Sequence, residues 1–331
     1  MTQDSHAEAC VDIVLPAFNA EATIDRAAKS VLADPALRRL IIVDDASSDE
    51  TPARIRMLAE KYPKVIPVLL EENVGPAEAR NIGFGHSKAD WVGLLDSDDW
   101  MDENRLSKML AEASAANADI VADDVFMHKP DGTSASVWSP DSFSPFLISA
   151  AFFAQMNIES VAGTAREFGY IKPLFRRESL HRTAAPWRKS LRIMEDYDLY
   201  MRCLVAGDRF LFMPRAGYHY DRGSASRAFR PDNLQEVVRI DRAHARQLKD
   251  RQAKYWLGRH ADLLEALILW DDAVGKRNLL AVPQLFLRSV TRPAIGKNIL
   301  ERISRKLRGL DLVAPMARDI PKGSPADLGS V

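Results

Sequence analysis

Between Val11 and Ala122 the chain alternates short apolar runs with longer segments whose apolar residues recur every three or four positions. Val11 to Leu15 is an apolar run stopped by Pro16, and Glu21 to Leu32 then places Ile24, Ala27, Ala28 and Val31 at helical spacing. Leu40 to Val43 reads as a buried strand, Thr51 to Tyr62 as a helix, Val65 to Leu70 as a strand and Pro76 to His86 as a helix. Trp91 to Leu95, Asn104 to Ala116 and Asp119 to Ala122 continue the pattern as strand, helix and strand. Strands separated by helices of this length predict an α/β fold, a mostly parallel Rossmann-like sheet with helices on both faces.

The remainder is organised differently. Lys129 to Pro145 is rich in Ser, Pro, Asp and Gly and reads as a loop. From Gln235 the pattern is helical, and Ala314 to Val331 reads as a loose tail. Hydrophobic residues make up 47% of the 331, enough for a substantial core. A net charge of -1 gives no overall field toward nucleic acid, so no nucleic-acid partner is expected. Two cysteines, Cys10 and Cys203, make neither a disulfide framework nor a zinc motif. The polar start Met1 to His6 lacks the layout of a signal peptide, and no run reaches the ~18 uncharged apolar residues of a spanning helix. A cytoplasmic protein is expected, peripheral to a membrane at most.

Acidic residues cluster just after strand ends, where open α/β sheets bind ligands. Asp96-Ser97-Asp98-Asp99 follows one strand; such carboxylates suit Mg²⁺ or Mn²⁺, with phosphate oxygens completing the shell. The plainer reading is a solvated turn that caps the next helix. Asp44-Asp45-Ala46-Ser47-Ser48-Asp49 follows another; an Asp there accepts from an imide N–H or a ribose hydroxyl, and Ser47, Ser48 or Asp49 can cap a helix. Arg80, on the helix opened by Gly75-Pro76, suits a phosphate oxygen, or a surface ion pair. Glu195-Asp196 offers a general base, or charges that complement a helix dipole.

Five motifs together resemble the family-2 inverting glycosyltransferases, which have the GT-A fold. They are Ile13-Val14-Leu15-Pro16-Ala17-Phe18-Asn19; Val43-Asp44-Asp45-Ala46-Ser47; Asn73-x-Gly75-x-x-x-Ala79-Arg80-Asn81-x-Gly83; Leu95-Asp96-Ser97-Asp98-Asp99; and Glu195-Asp196. The resemblance spans residues 10 to 225 and is similar in layout to bacterial exopolysaccharide enzymes of the succinoglycan type. It implies that Pro16, Ala17, Phe18 and Asn19 line a nucleoside pocket, that Asp45 or Asp44 reads uracil or ribose, and that Arg80 lies near a diphosphate. It further implies that Asp96 and Asp98 form the metal site, Asp98 as the direct ligand and Asp96 facing ribose or metal-bound water. Ser97 and Asp99 would border the donor sugar and Asp196 would be the catalytic base. Tyr218 to Ser226 resembles a segment closing over the donor, bringing His219 and Arg222 toward the diphosphate, and Gly169 to Arg177 falls where the family builds its acceptor side.

The expected activity follows from that resemblance. One sugar, with glucose as the expectation, moves from a UDP-sugar to a glycan or lipid-linked glycan acceptor in polysaccharide biosynthesis. The division expected is a catalytic domain over 1–234 (nucleotide half 10–125, acceptor half 126–234), a C-terminal helical extension over 235–313 and the tail 314–331. The Gln-x-x-Arg-Trp signature of processive synthases is missing, since Gln235-Glu236-Val237-Val238-Arg239 does not fit it, and single-sugar transfer is expected. A sugar nucleotidyltransferase would need a Gly-rich loop where Pro16-Ala17-Phe18-Asn19 stands; a non-catalytic nucleotide-sugar binder would show damaged acids. Lys276 to Arg308 sets nine basic residues against Glu301 with apolar residues between them, which suits an anionic membrane surface or a packed helix with a solvated basic face.

Overall fold

The computed structural model describes residues 10–137, 144–161, 168–182, 186–191, 194–221 and 234–272, with Pro283. In chain order the elements are β1 (Val11–Ala17), α1 (Ile24–Leu32), β2 (Leu37–Asp44), α2 (Thr51–Lys61), β3 (Val65–Leu69), α3 (Pro76–His86) and β4 (Trp91–Leu94). Then come β5 (Trp100–Met101), α4 (Arg105–Ala115), β6 (Ile120–His128), β7 (Ser134–Ser136), β8 (Phe146–Ile148), α5 (Ala150–Val161), β9 (Leu174–Arg176) and α6 (Arg177–His181). The last are α7 (Glu195–Val205), β10 (Phe210–Asp221), α8 (Leu234–Gln247) and α9 (Arg251–Trp270). Two compact units result. The first is Met1–Ile148, Tyr170–Lys189 and Gly207–Ser226; the second is Ser149–Gly169, Ser190–Ala206 and Arg227–Val331.

The first unit is a sheet of ten strands with the order β3-β2-β1-β4-β9-β6-β10-β5, β7 beside β6 and β8 beside β10. The α/β architecture expected from the alternation is present, in a mixed sheet. β1 pairs in parallel with β2 and β4, β2 with β3, and β6 with β10. Antiparallel pairings come from β9, β5, β7 and β8, each two or three residues long. Strands so short carry no periodic signal, and β7 lies inside the stretch expected to be loop.

β1 and β2 are covered on both faces, and their apolar runs without alternation reflect that. α1 buries Ile24, Ala27, Ala28 and Val31, the four residues whose spacing marked it. β3 ends the sheet, which is where Pro67 costs no ladder bond that a central strand would need. Asp12 is a buried charge in this apolar layer. It accepts from Arg38 Nε and Nη2 at 3.1 and 2.8 Å, and from Ser87 Oγ, Lys88 N and Ala89 N, so its oxygens are satisfied where water is excluded.

The order 3-2-1-4 means the chain reverses direction across the sheet between β1 and β4. Loops leaving their carboxyl ends diverge there, which opens a crevice at the switch point. Pro16 to Asn19 leaves β1 and Asp96 to Asp99 follows β4, so the two motifs flank that crevice.

The second unit is helical, with α5 packed on α7 and α9, and α8 packed on α7 and α9. Among the described residues no helix is long and apolar enough to cross a membrane. The tail 314–331 and the basic segment Lys276 to Arg308, Pro283 apart, lie outside the described residues.

Gly83 supplies a test of how closely α3 lies on the sheet. A Cβ there would collide with Val14 Cγ1 and press on Val43, whereas one at Gly85 meets nothing within 4 Å. Gly83→Ala is expected to destabilise by about 1–3 kcal/mol through overpacking. Gly85→Ala should be neutral or stabilising by up to about 1 kcal/mol, from helix propensity. Urea unfolding midpoints compare them, and equal midpoints would contradict the close approach.

Candidate active site

The crevice is walled on one side by three loops that hydrogen-bond to each other. Asn19 sits in the left-handed region at φ 49°, which its short polar side chain tolerates. Its N–H donates to Ser47 Oγ at 2.9 Å, and its Oδ1 accepts from Ser48 N at 2.9 Å. Phe18, one residue earlier, is a large apolar side chain left 52% exposed. Pro16 is half-buried and Ala17 is buried. Ala17 also accepts from Asp45 N through its carbonyl.

Asp44 and Asp45 are both buried but differ in what they hold. Asp45 accepts from Val74 N at 2.7 Å and from Gly75 N at 2.9 Å, and Asn73 Nδ2 donates to its carbonyl. Gly75 makes this possible with φ at 85°, a backbone conformation that side chains resist. Asp44 accepts from Ser47 N at 3.2 Å, and its Oδ1 has no partner among the described residues. Asp49 accepts from Thr51 N at 3.0 Å in the turn that leads into α2, but the N-cap position is Glu50 and no side chain caps the helix, so the capping expected of Ser47, Ser48 or Asp49 is not made.

The acidic turn is the electrostatic centre of the crevice. Asp96, Asp98 and Asp99 lie within four residues, and each solves the crowding differently. Burial alone would raise the Asp96 carboxyl. Lys172 Nζ at 3.0 Å and Arg80 Nη2 at 3.2 Å outweigh it and hold the group well below the usual carboxylate range. Asp99 has no solvent exposure. Burial, with Asp96 and Asp98 beside it, pushes it up to about 8. Tyr218 Oη donates to its Oδ2 at 2.7 Å, and Asp221 N donates to its Oδ1 at 2.9 Å. Asp98 faces solvent, and burial together with the Asp96 and Asp221 charges raises it. No described side-chain cation is paired with its carboxylate. Ser97 is half-buried between them.

Three supports hold that turn; the motifs single out the segment of Tyr218 and His219 as one closing over the donor, and do not mark Arg105, Arg26, Trp100 or Phe126. The first is Arg105 of α4. Its guanidinium is buried against Asp123 and donates to the Lys172 carbonyl at 2.8 Å, so it fixes the backbone that delivers Lys172 to Asp96. The second is the end of β10. Tyr218 Oη accepts from Asp96 N at 3.2 Å while donating to Asp99, which ties the turn to this strand. The third is a stack of planar groups. Arg26 lies 4.1 Å from the Trp100 ring centre, Trp100 stacks on His219 at 5.0 Å, and Phe126 lies on the other side at 5.2 Å. Arg26 Nη2 also donates to the Asp98 carbonyl at 2.5 Å and to Asp221 Oδ2 at 3.2 Å.

His219 is therefore a wall group. Its Nε2 lies 2.8 Å from Asp102 Oδ1 and its Nδ1 lies 2.9 Å from His128 Nε2. Lys172, from the segment expected on the acceptor side, is placed on the acidic turn. Arg80 is placed there too, buried on α3. Asn81 of the same motif clamps Trp187, with Nδ2 donating to its carbonyl and Oδ1 accepting from its N–H. Asp196 belongs to the second unit, buried in the first turn of α7 after Met194, whose φ is 59°. Arg222 lies outside the described residues. Among the described residues no group of three or more His, Cys, Asp or Glu side chains is arranged to hold a metal by itself.

The family model "Glycosyl transferase family 2" matches residues 12–175. The chain is 36% identical to the succinoglycan biosynthesis protein ExoO of Rhizobium meliloti (strain 1021) over 95% of its own length and 91% of that protein. It is 33% identical to ExoU, another succinoglycan biosynthesis protein of that organism, over 73% of this chain and 71% of ExoU. Among solved structures, S. aureus TarS 1-349 in complex with UDP superposes with a TM-score of 0.59 at 18% identity, over 81% of this chain and 73% of that one. TarS 1-349 in complex with UDP-GlcNAc gives 0.59 at 17%, over 84% and 79%. At these identities the TarS likeness shows the fold, a GT-A-like arrangement.

The Tyr218 hydroxyl is the bond by which β10 holds the acidic turn. Tyr218→Phe leaves a buried carboxylate and a backbone N–H each short of a partner, at a cost of about 1–3 kcal/mol. Guanidinium unfolding measures it. A stability equal to wild type would show that β10 does not brace the acidic turn.

Proposed function

Because this chain belongs to glycosyl transferase family 2 and is a glycosyltransferase, we propose that it moves one sugar from a UDP-sugar onto a glycan or lipid-linked glycan in the assembly of a bacterial polysaccharide. The observation that carries the donor half of this reading is Asp98. It is a solvent-facing carboxylate at the switch-point crevice, raised by burial and by the Asp96 and Asp221 charges, while Asp96 is ion-paired with Lys172 and Arg80 and Asp99, pushed up to about 8, keeps its proton at neutral pH. Such a group fits a hard divalent cation whose remaining ligands are water and diphosphate oxygens. Asp98 would hold Mg²⁺ or Mn²⁺ directly, with Asp96 turned toward Lys172 and Arg80 and acting at one remove. The cation would supply positive charge to the departing nucleotide.

The chain's own groups do the rest. Phe18 offers an apolar face to the base, and the Asp44–Asp45 loop offers acceptors to the imide or ribose. Arg80 and Lys172 put two buried cations beside the crevice, which favours an anionic leaving group. Asp196 takes the proton from the acceptor hydroxyl as its oxygen bonds to the anomeric carbon. The bond from that carbon to the UDP oxygen breaks in the same step, and one displacement inverts the centre. Glucose is the donor sugar we propose.

Metal-dependent UDP release tests the reading. Release from a panel of UDP-sugars should require Mn²⁺ or Mg²⁺ and stop in Asp98→Ala. Full release in excess chelator would sink the metal assignment. Asp196→Asn should lower turnover by about 10²-fold or more, the usual scale for a general base, with UDP affinity nearly unchanged. Asp45→Ala should do the opposite and weaken UDP binding.

We also propose a peripheral seat on the inner face of the membrane, through the basic segment Lys276 to Arg308. Its support is the apolar residues set among nine cations, each worth about 1 kcal/mol near anionic lipid. Co-sedimentation should favour anionic over neutral vesicles and lose that preference when residues 276–331 are removed. Equal binding to both vesicles would reject it.

A further inference from the structure

The residues immediately after the Glu195-Asp196 pair are buried and bonded in a way that the nucleotide chemistry does not explain. Tyr197 Oη donates to Asp241 Oδ1 of α8 at 2.8 Å. His260 of α9 brings Nδ1 within 2.7 Å of Asp241 Oδ2, and Asp241 and His260 have no exposure. A carboxylate only accepts, so the His260 proton on this side sits on Nδ1. The Tyr197 ring stacks on Phe153 of α5 at 5.4 Å and tilts against His260 at 5.0 Å. Burial and the Asp241 charge push the Tyr197 hydroxyl well above its ordinary value, so it stays a donor. Beside it, Asp198 accepts from Arg202 Nε at 2.9 Å, and His244 Nε2 of α8 lies 3.5 Å from Asp198 Oδ1.

Tyr197 ties α7 to α8 through Asp241 and packs on α5 and α9, whereas Asp198 is bonded within α7 itself. Successive side chains are about 100° apart, so holding Tyr197 against these helices sets the direction of Asp196 as well. Leu, Val or Ala at these positions would supply the burial more cheaply than buried tyrosine, carboxylate and imidazole, whose bonds are directional and costly to leave unmade. We propose that Tyr197, Asp241 and His260 form a clamp that orients Asp196, and that α8 and α9 thereby serve the reaction as positioning elements. This rests on Asp196 being the base.

The test uses the full chain and UDP release from whichever UDP-sugar turns over fastest in wild type. Tyr197→Phe deletes one hydroxyl and keeps the ring packing. It should lower kcat by about tenfold or more, as misplaced groups do, while KM for the UDP-sugar and UDP affinity stay at wild-type values. Asp241→Asn still accepts from Tyr197 and can donate to His260 in its other tautomer. It should recover most of the turnover that Asp241→Ala loses. A folded Tyr197→Phe protein with a lower Tm and wild-type kcat makes the cluster merely structural and overturns the clamp. Equal losses in Asp241→Asn and Asp241→Ala overturn it as well. Asp196→Asn is measured in parallel: wild-type turnover there removes the base and the clamp with it, whereas lost turnover there with wild-type kcat in Tyr197→Phe removes the clamp alone.

Discussion

Three carboxylates within four residues at the end of a buried strand repel each other, and the sheet unit is built around relieving that repulsion. In water two charges at 4 Å cost about 1 kcal/mol, and near a protein surface about four times that. Asp96 is relieved by Lys172 and Arg80, and Asp99, held by the Tyr218 hydroxyl and the Asp221 N–H, is pushed up to about 8 and keeps its proton at neutral pH. Each relief makes a demand elsewhere. Lys172 needs its backbone held, which Arg105 does from α4. Tyr218 needs β10 close to the turn, and Gly217 allows that, since a Cβ there would meet Asp123 and Arg105. Arg105 lies 5.3 Å from the Tyr218 ring centre, so one guanidinium serves both supports.

The charge left over is that of Asp98, and the asymmetry has chemical meaning. A turn whose acids were all paired would be a structural knot. A turn whose acids were all bare would carry their full repulsion into the folded state. Here Asp96 is ion-paired and Asp99 is enclosed, and burial with the Asp96 and Asp221 charges raises Asp98, which favours a positive charge brought from outside. The buried lysine and arginine on Asp96 put cationic groups beside the place where a diphosphate would lose its bond to sugar, the preorganised arrangement that costs no rearrangement at the moment of reaction.

Much of this was legible in the sequence. β1, β2 and β4 are unbroken apolar runs and α1 and α4 are periodic, and their large apolar residues are mostly buried. The two groups of strand-end acids follow β2 and β4, the strands on either side of β1. The supports were not legible for physical reasons. Lys172 lies 76 residues after Asp96, and Tyr218 lies 122 residues after it. No local periodicity encodes a side-chain bond made across a sheet. Nothing in the local sequence marks Arg26 or Arg105, because an arginine paired across the fold has the same local sequence as an exposed one. The short strands β5, β8 and β9 form because neighbours present open edges, and nothing within their own residues declares them. Asp45 shows a subtler gap, since its motif marks it as a nucleoside acid while its oxygens organise the Val74-Gly75 turn.

The account stands most directly on where a cation binds, and electron paramagnetic resonance of Mn²⁺ measures that without turnover. Titrating the full chain with Mn²⁺ in the presence of UDP should deplete the free-ion signal at one site per chain. Asp98→Asn should abolish that depletion and Asp99→Asn should largely keep it. Depletion in Asp98→Asn equal to that of wild type would contradict the central claim, because the charge left over on this turn would then not be the one that binds.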